Sequence, residues 1–186
     1  MKHLSTYFTI QNNKANKILL FDVDDTLINT TACIWVVKNG RYVKKLTNSE
    51  YNDYKLGPGE SFDFCEFEDK EILFKETLTK YWYTLKREYN KGTHIGIITA
   101  RGNCEMIRDF IKKNGIDIHK SLVFATDDPK LGLMGTVQQR KAEVIARLYN
   151  MGYRFFVFFD DNLNNLRAAK SLERIYDDAT ILIKKV

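Results

Sequence analysis

The sequence predicts an α/β protein built on a parallel β-sheet with helices on both faces, a three-layer arrangement. Three observations predict it. Short apolar runs that read as strands alternate with amphipathic helical stretches along most of the chain. The runs at Ile18–Asp22, "HIGIIT" and "RFFVFFDD" are almost continuously apolar, as strands covered on both faces are. Three runs also end in polar groups, at Asp22, at Thr99 and at Asp160 with Asp161. Those ends lie on the sheet edge where α/β proteins bind their ligands.

The elements follow in order. After the first strand, "CIWVVKNGRYVKKL" reads as a hairpin, because Asn39-Gly40 supplies the positive φ angles of a type I′ turn between Ile34–Val37 and Tyr42–Val43. Thr47 and Glu50 form a capping-box pattern for a short helix, which Gly57-Pro58-Gly59 breaks; Phe62 and Phe64 then alternate like a brief strand. From Glu71 to about Tyr89 the apolar residues fall on one broad helical face, with Gly92 as the stop. "HIGIIT" is the second buried strand, "NCEMIRDFIKKNG" a helix closed by Gly115, and Leu122–Thr126 the third strand. Val137–Asn150 is a helix opened by the Thr136/Gln139 capping box. "RFFVFFDD", "LNNLRAAKSL" and "TILIKK" complete the alternation as strand, helix and strand.

At 186 residues the chain suits one well-filled domain, with residues 28–68 as a flap hairpin and small cap-like insertion within it. The 44% hydrophobic and 28% charged composition is that of a globular protein, not a disordered one. The N-terminal stretch has no apolar run suited to a signal peptide, and nothing approaches the roughly 18 apolar residues of a membrane span. Cys33, Cys65 and Cys104 are too far apart for a zinc motif or a disulfide framework, and they fit a reducing, cytoplasmic setting. The net charge of +5 suits anionic partners, nucleic acid among them, although no dense Lys/Arg block stands out.

Taken singly, an acidic strand end is a common turn or helix cap. The order of the polar groups is more specific. D-x-D-x-T follows the first strand, Thr the second and D-D the fourth, and Lys141 lies on the helix entering that fourth strand. In this order the sequence resembles the haloacid dehalogenase (HAD) superfamily of phosphotransferases. "FDVDDT" is similar to its first motif, hhhDxDx[TV], and "IGIITAR" to its second. Lys141 in "QQRKAEVI" is similar to the third, and "FVFFDD" to the acidic fourth. The match runs from about Ile18 to the C-terminus.

The resemblance implies a HAD-like, Rossmann-like fold and a Mg²⁺-dependent phosphatase. Asp22 is then the nucleophile that forms an aspartyl-phosphate, and Asp24 the acid and base that serves leaving group and water. Asp22, the backbone carbonyl of Asp24, Asp160 and Asp161 are the implied Mg²⁺ ligands. Thr99 and Lys141 hold the phosphoryl group, and Arg101 is a candidate for a substrate anion. Lys130 in "DDPKLG" competes with Lys141 for the lysine role. Asp25 reads as a turn residue. Asn164 and Asn165 either orient the acidic loop or are polar residues of a first helical turn.

The short interval between Thr99 and Lys141 leaves no room for a large cap there. An open site with net positive charge favours a nucleotide or a nucleic-acid terminal phosphate as substrate, as in a nucleotidase or a 3′-phosphatase. A small metabolite phosphate and a catalytically inactive binding module are the alternatives. Trp35, Tyr42, Tyr51 and Tyr54 are candidates for base stacking, with a small satellite core under the hairpin as the plainer reading. A phospho-receiver domain uses similar residues but places the acidic pair at its first strand, the opposite order.

Overall fold

The structure, a computed structural model, describes residues 16–119 and 122–186. The N-terminal stretch through Ala15, with His3, lies outside the described residues, as do Lys120 and Ser121. The main sheet has five parallel strands: β1 (Lys17–Phe21), β7 (His94–Thr99), β8 (Val123–Ala125), β9 (Phe155–Asp160) and β10 (Thr180–Lys185). Their spatial order is β10-β9-β1-β7-β8. From central β1 the chain runs outward through β7 and β8, then returns to the other side of β1 for β9 and β10. The strand order therefore switches between β1 and β9, and in such sheets ligands bind beyond the carboxyl ends of the strands at the switch.

In register, Phe21 lies beside Phe159 and Leu20 beside Phe158. Side chains alternate across the sheet, so each adjacent pair shares a face. The Phe21 and Phe159 rings stack at 4.5 Å, and Tyr81 of α3 (Lys80–Asn90) packs onto Phe159. On that side Trp82 of α3 also meets Phe110 of α4 (Cys104–Lys113). The other face belongs to α5 (Val137–Asn150) and α6 (Leu163–Ser171), which pack together and bury Val144, Ile145, Leu148, Leu166 and Ala169. Burial is near complete along β1 and β9, where Ile18, Leu20, Phe21, Phe156 and Phe158 are at 0% exposure. Each such side chain contributes about 1.5–3 kcal/mol.

The insertion after β1 forms a second, antiparallel sheet. β3 (Ile34–Lys38) and β4 (Arg41–Leu46) make the expected hairpin, with Asn39 at φ 50° and Gly40 at φ 75°. A register shift lies between Val36 and Val37. β5 (Glu60–Asp63) joins β3 on its other edge, one step earlier than the Phe62/Phe64 alternation suggested. Ile34, Val36 and Leu46 form a small core with Tyr51, Tyr54, Phe62 and Phe67, capped by α1 (Asn48–Asp53). Tyr51 and Tyr54 therefore belong to a satellite core, as the plainer reading had it.

One expected element is corrected. The stretch read as a single helix from Glu71 to about Tyr89 is two helices, α2 (Lys70–Lys75) and α3, separated by the short strand β6 (Thr77–Leu78). β6 pairs antiparallel with β2 (Ile28–Asn29). The loop after β1 imposes the break. Thr79 N–H donates to Leu27 O, its hydroxyl donates to Thr26 O, and Oγ1 caps α3 by accepting from Tyr81 N–H. Glu76 accepts from both the N–H and the hydroxyl of Thr31. Among the described residues, no helix is long and apolar enough to cross a membrane.

Candidate active site at the carboxyl edge of the sheet

Asp22 follows directly on β1. Its N–H donates to Phe159 O at 3.0 Å, which extends the ladder by one bond and fixes the backbone beside β9. Asp160 ends β9. Between them stands Lys141, on the second turn of α5, with Nζ 2.8 Å from Asp22 Oδ1 and 2.7 Å from Asp160 Oδ2. All three are buried, at 4%, 0% and 2% exposure. An isolated charge at such depth is unfavourable by several kcal/mol, so the ammonium between two carboxylates offsets part of the cost and leaves one negative charge over.

The Asp160 carboxylate is fully engaged. Asn165 Nδ2 reaches both its oxygens, at 2.9 and 3.1 Å, and Asn162 N–H donates to Oδ1 at 2.8 Å. Asp22 differs: among the described residues no donor bonds its Oδ2. Burial pushes the Asp22 carboxyl well above the ordinary carboxylate range; Lys141 opposes that shift, and Asp160, Asp24 and Asp161 add to it. Burial works to discharge Lys141, but Asp22 and Asp160 outweigh it and hold the ammonium charged. Asp161, next along the chain, is raised to about 6 by burial and by the Asp160 charge.

One oxygen each of Asp22, Asp160 and Asp161 lie within 4.8 Å of one another. Three hard oxygen donors, a negative surplus and upward-shifted carboxyls make a donor set that fits a divalent cation.

The remaining candidates divide. Thr99 ends β7 at 0% exposure; its Oγ1 accepts from Arg101 N–H at 3.2 Å, and its carbonyl from Thr126 N–H at 2.7 Å. Asp24 and Arg101 are bound to each other, with Nε and Nη2 of the guanidinium on the two carboxylate oxygens at 3.0 and 2.7 Å. Asp25 sits in a left-handed turn at φ 54° and accepts from Thr30 N–H and Asn48 Nδ2. Lys130 lies in the turn Pro129–Leu131 and is exposed, whereas Lys141 touches both buried acids. Asn165 reaches Asp160, while Asn164 points outward with its N–H on the Asn162 cap.

Four contributors were absent from the sequence reading. Thr30 donates its hydroxyl to Asp24 Oδ1 at 2.8 Å, and Phe67 O accepts from Arg101 Nη1 at 2.7 Å. Asn48 ties α1 to Asp25, and Asn162 caps α6 under Asp160. Asn162 had a usable signal, since Asn immediately before an apolar-periodic run is an N-cap pattern. The other three meet their partners only through the fold.

Comparison of the chain with protein-family models, with curated proteins and with solved structures finds no match in any of the three.

Proposed function

We propose that the protein is a HAD-type, Mg²⁺-dependent phosphomonoester hydrolase working through an aspartyl-phosphate on Asp22. One observation carries this reading: a buried lysine joins two buried aspartates at the switch in strand order, while one Asp22 oxygen has no donor among the described residues. Asp160, at the same depth, has both oxygens hydrogen-bonded within the protein. A nucleophile needs one left open.

In this reading Asp22 Oδ2 attacks phosphorus, and Lys141 lowers the cost of ionising Asp22 against its burial. Lys141 also neutralises charge on the transferring group, and the Thr99 hydroxyl donates to a phosphoryl oxygen. Asp22, Asp160, Asp161 and the Asp24 carbonyl would hold Mg²⁺, which supplies charge neutralisation at the phosphoryl oxygens. Asp24 exchanges the proton with leaving group and water. The substrate class is a nucleotide or a nucleic-acid terminal phosphate, supported by the net charge of +5.

The test is phosphate release with Mg²⁺ or with EDTA, comparing the native protein with Asp22→Asn. The substrates are an aryl phosphate, nucleoside 5′- and 3′-monophosphates, simple metabolite phosphates, and oligonucleotides with 5′- or 3′-phosphate ends. Turnover that requires both Mg²⁺ and Asp22 is the expected result. No turnover across the panel, with Mg²⁺ still bound, would favour a non-catalytic binding module instead.

A further inference from the structure

Asp24 is held by more than its turn. Its Oδ1 accepts from Arg101 Nη2 at 2.7 Å and from Thr30 Oγ1 at 2.8 Å, and its Oδ2 accepts from Arg101 Nε at 3.0 Å. The Arg101 side chain is wholly buried, whereas that of Asp24 keeps 15% exposure. The third guanidinium nitrogen, Nη1, donates to Phe67 O at 2.7 Å, and the guanidinium carbon lies 5.1 Å from the Phe67 ring centroid. Phe67 belongs to the turn Cys65–Glu68 of the insertion, and Glu68 Oε1 binds the neighbouring Gly102 N–H at 3.0 Å. Every guanidinium nitrogen is thus engaged inside the protein, none on the open side of the site.

Resting on the phosphatase reading, we propose that Arg101 is a positioning residue for Asp24, itself braced by Phe67, and not a ligand of the substrate. A planar fork on a carboxylate fixes its plane as well as its place. Oδ1 carries two donors and Oδ2 one, so the outer lone pair of Oδ2 is the one left for the reaction. As Asp22 bonds to phosphorus, the phosphorus–oxygen bond to the leaving group breaks and its electron pair stays on the leaving oxygen. That oxygen takes the proton from Asp24 Oδ2. Water then bonds to phosphorus and gives a proton back to Oδ2, and the bond to Asp22 breaks to restore its carboxylate.

The test separates positioning from bulk structure by leaving group. A departing alkoxide needs its proton; a nitrophenolate leaves without one. With Mg²⁺ present, kcat and KM are measured on 4-nitrophenyl phosphate and on glycerol phosphate for the native protein, Arg101→Gln, Arg101→Lys and Phe67→Ala. Arg101→Gln is expected to lower kcat about 100-fold on glycerol phosphate and about threefold or less on the aryl ester, with KM little changed. Phe67→Ala, which keeps the backbone carbonyl and lies outside the main core, shows the same bias at smaller size. If Arg101→Gln fails to fold, Phe67→Ala and Arg101→Lys carry the comparison. Equal losses on both substrates, or a raised KM with unchanged kcat, overturn the positioning role while leaving the phosphatase reading intact. If glycerol phosphate is not turned over, a nucleoside monophosphate, also an alkyl ester, takes its place; a native protein inactive on the whole panel above overturns that reading and the proposal with it.

Discussion

Lys141 carries the electrostatics of the site, and its removal tests them most directly. Without its ammonium, Asp22 and Asp160 face each other buried and uncompensated. Lys141→Ala is expected to destabilise the metal-free protein by about 3–5 kcal/mol, the range for breaking a buried pair by losing one partner. Added Mg²⁺ recovers part of the loss if the acids take the ion, which thermal melts with Mg²⁺ and with EDTA will show. Asp161 gives a pH-dependent counterpart. Its folded pKa, about 6, lies above the ordinary 3.8, so the folded state binds the proton more tightly than the unfolded one. Its contribution is therefore neutral below pH 3.8, turns unfavourable as pH rises towards 6, and is constant above. Asp161→Asn should raise Tm in EDTA at pH 7.5 and leave it nearly unchanged at pH 3.5. An equal gain at both pH values would remove ionisation as the cause. The acids were legible as polar strand ends, and Lys141 through the resemblance and its place on the helix leading into β9, with Lys130 left as a competitor. Arg101 was legible as a cation near the site but not in its destination, since Asp24 and Phe67 lie 77 and 34 residues away from it.

At the scale of the element, the break between α2 and α3 shows what periodicity cannot register. Ile72, Leu78, Tyr81, Trp82, Leu85 and Tyr89 keep a helical spacing across it, and no Gly or Pro interrupts them. The competing forces are tertiary: β6 pairs with β2, and Glu76 clamps Thr31 through two hydrogen bonds at 2.7 and 3.0 Å. The hairpin at Asn39-Gly40 was legible for the opposite reason, because its signal is local and chemical. Glu76 is 9% exposed while Thr31 is exposed, so Glu76→Ala removes two hydrogen bonds to a carboxylate and leaves the Thr31 donors to water. The expected cost is about 1–3 kcal/mol, read as a lower urea midpoint with unchanged slope. Should stability be unaffected, the β2–β6 pairing and the Thr79 bonds to Leu27 O and Thr26 O hold the break.

Over the whole molecule, the charge distribution narrows how a nucleic-acid substrate would be read. The net charge of +5, with the open site expected from the short interval between Thr99 and Lys141, suggested a polyanion as partner. Yet residues 28–68, the insertion beside Asp24 and Arg101, hold five Lys/Arg against six Asp/Glu, and the positive excess lies in the rest of the chain. Within the insertion Lys45 pairs with Glu66 at 2.9 Å, Lys38 lies 3.8 Å from Glu60, and Lys44 sits over the Tyr54 ring. Trp35 is tied by its Nε1–H to Glu66, and Tyr42, though exposed, donates its hydroxyl to Asp63. Such a surface offers little for a phosphodiester backbone to follow. In the proposed phosphatase, where Lys141 and Thr99 would hold the terminal phosphate, that phosphate should then supply most of the electrostatic binding. For an oligonucleotide with a terminal phosphate, log KM should rise against log salt with a slope of about 1, since each phosphate neutralised on a single strand contributes about 0.7. A mononucleotide bearing the same phosphate should match the oligonucleotide KM within about tenfold at moderate salt, for the same reason. A slope of about 3 or more for the oligonucleotide alone would require several phosphates on the protein. It would move the binding track away from the insertion, onto the basic remainder of the surface.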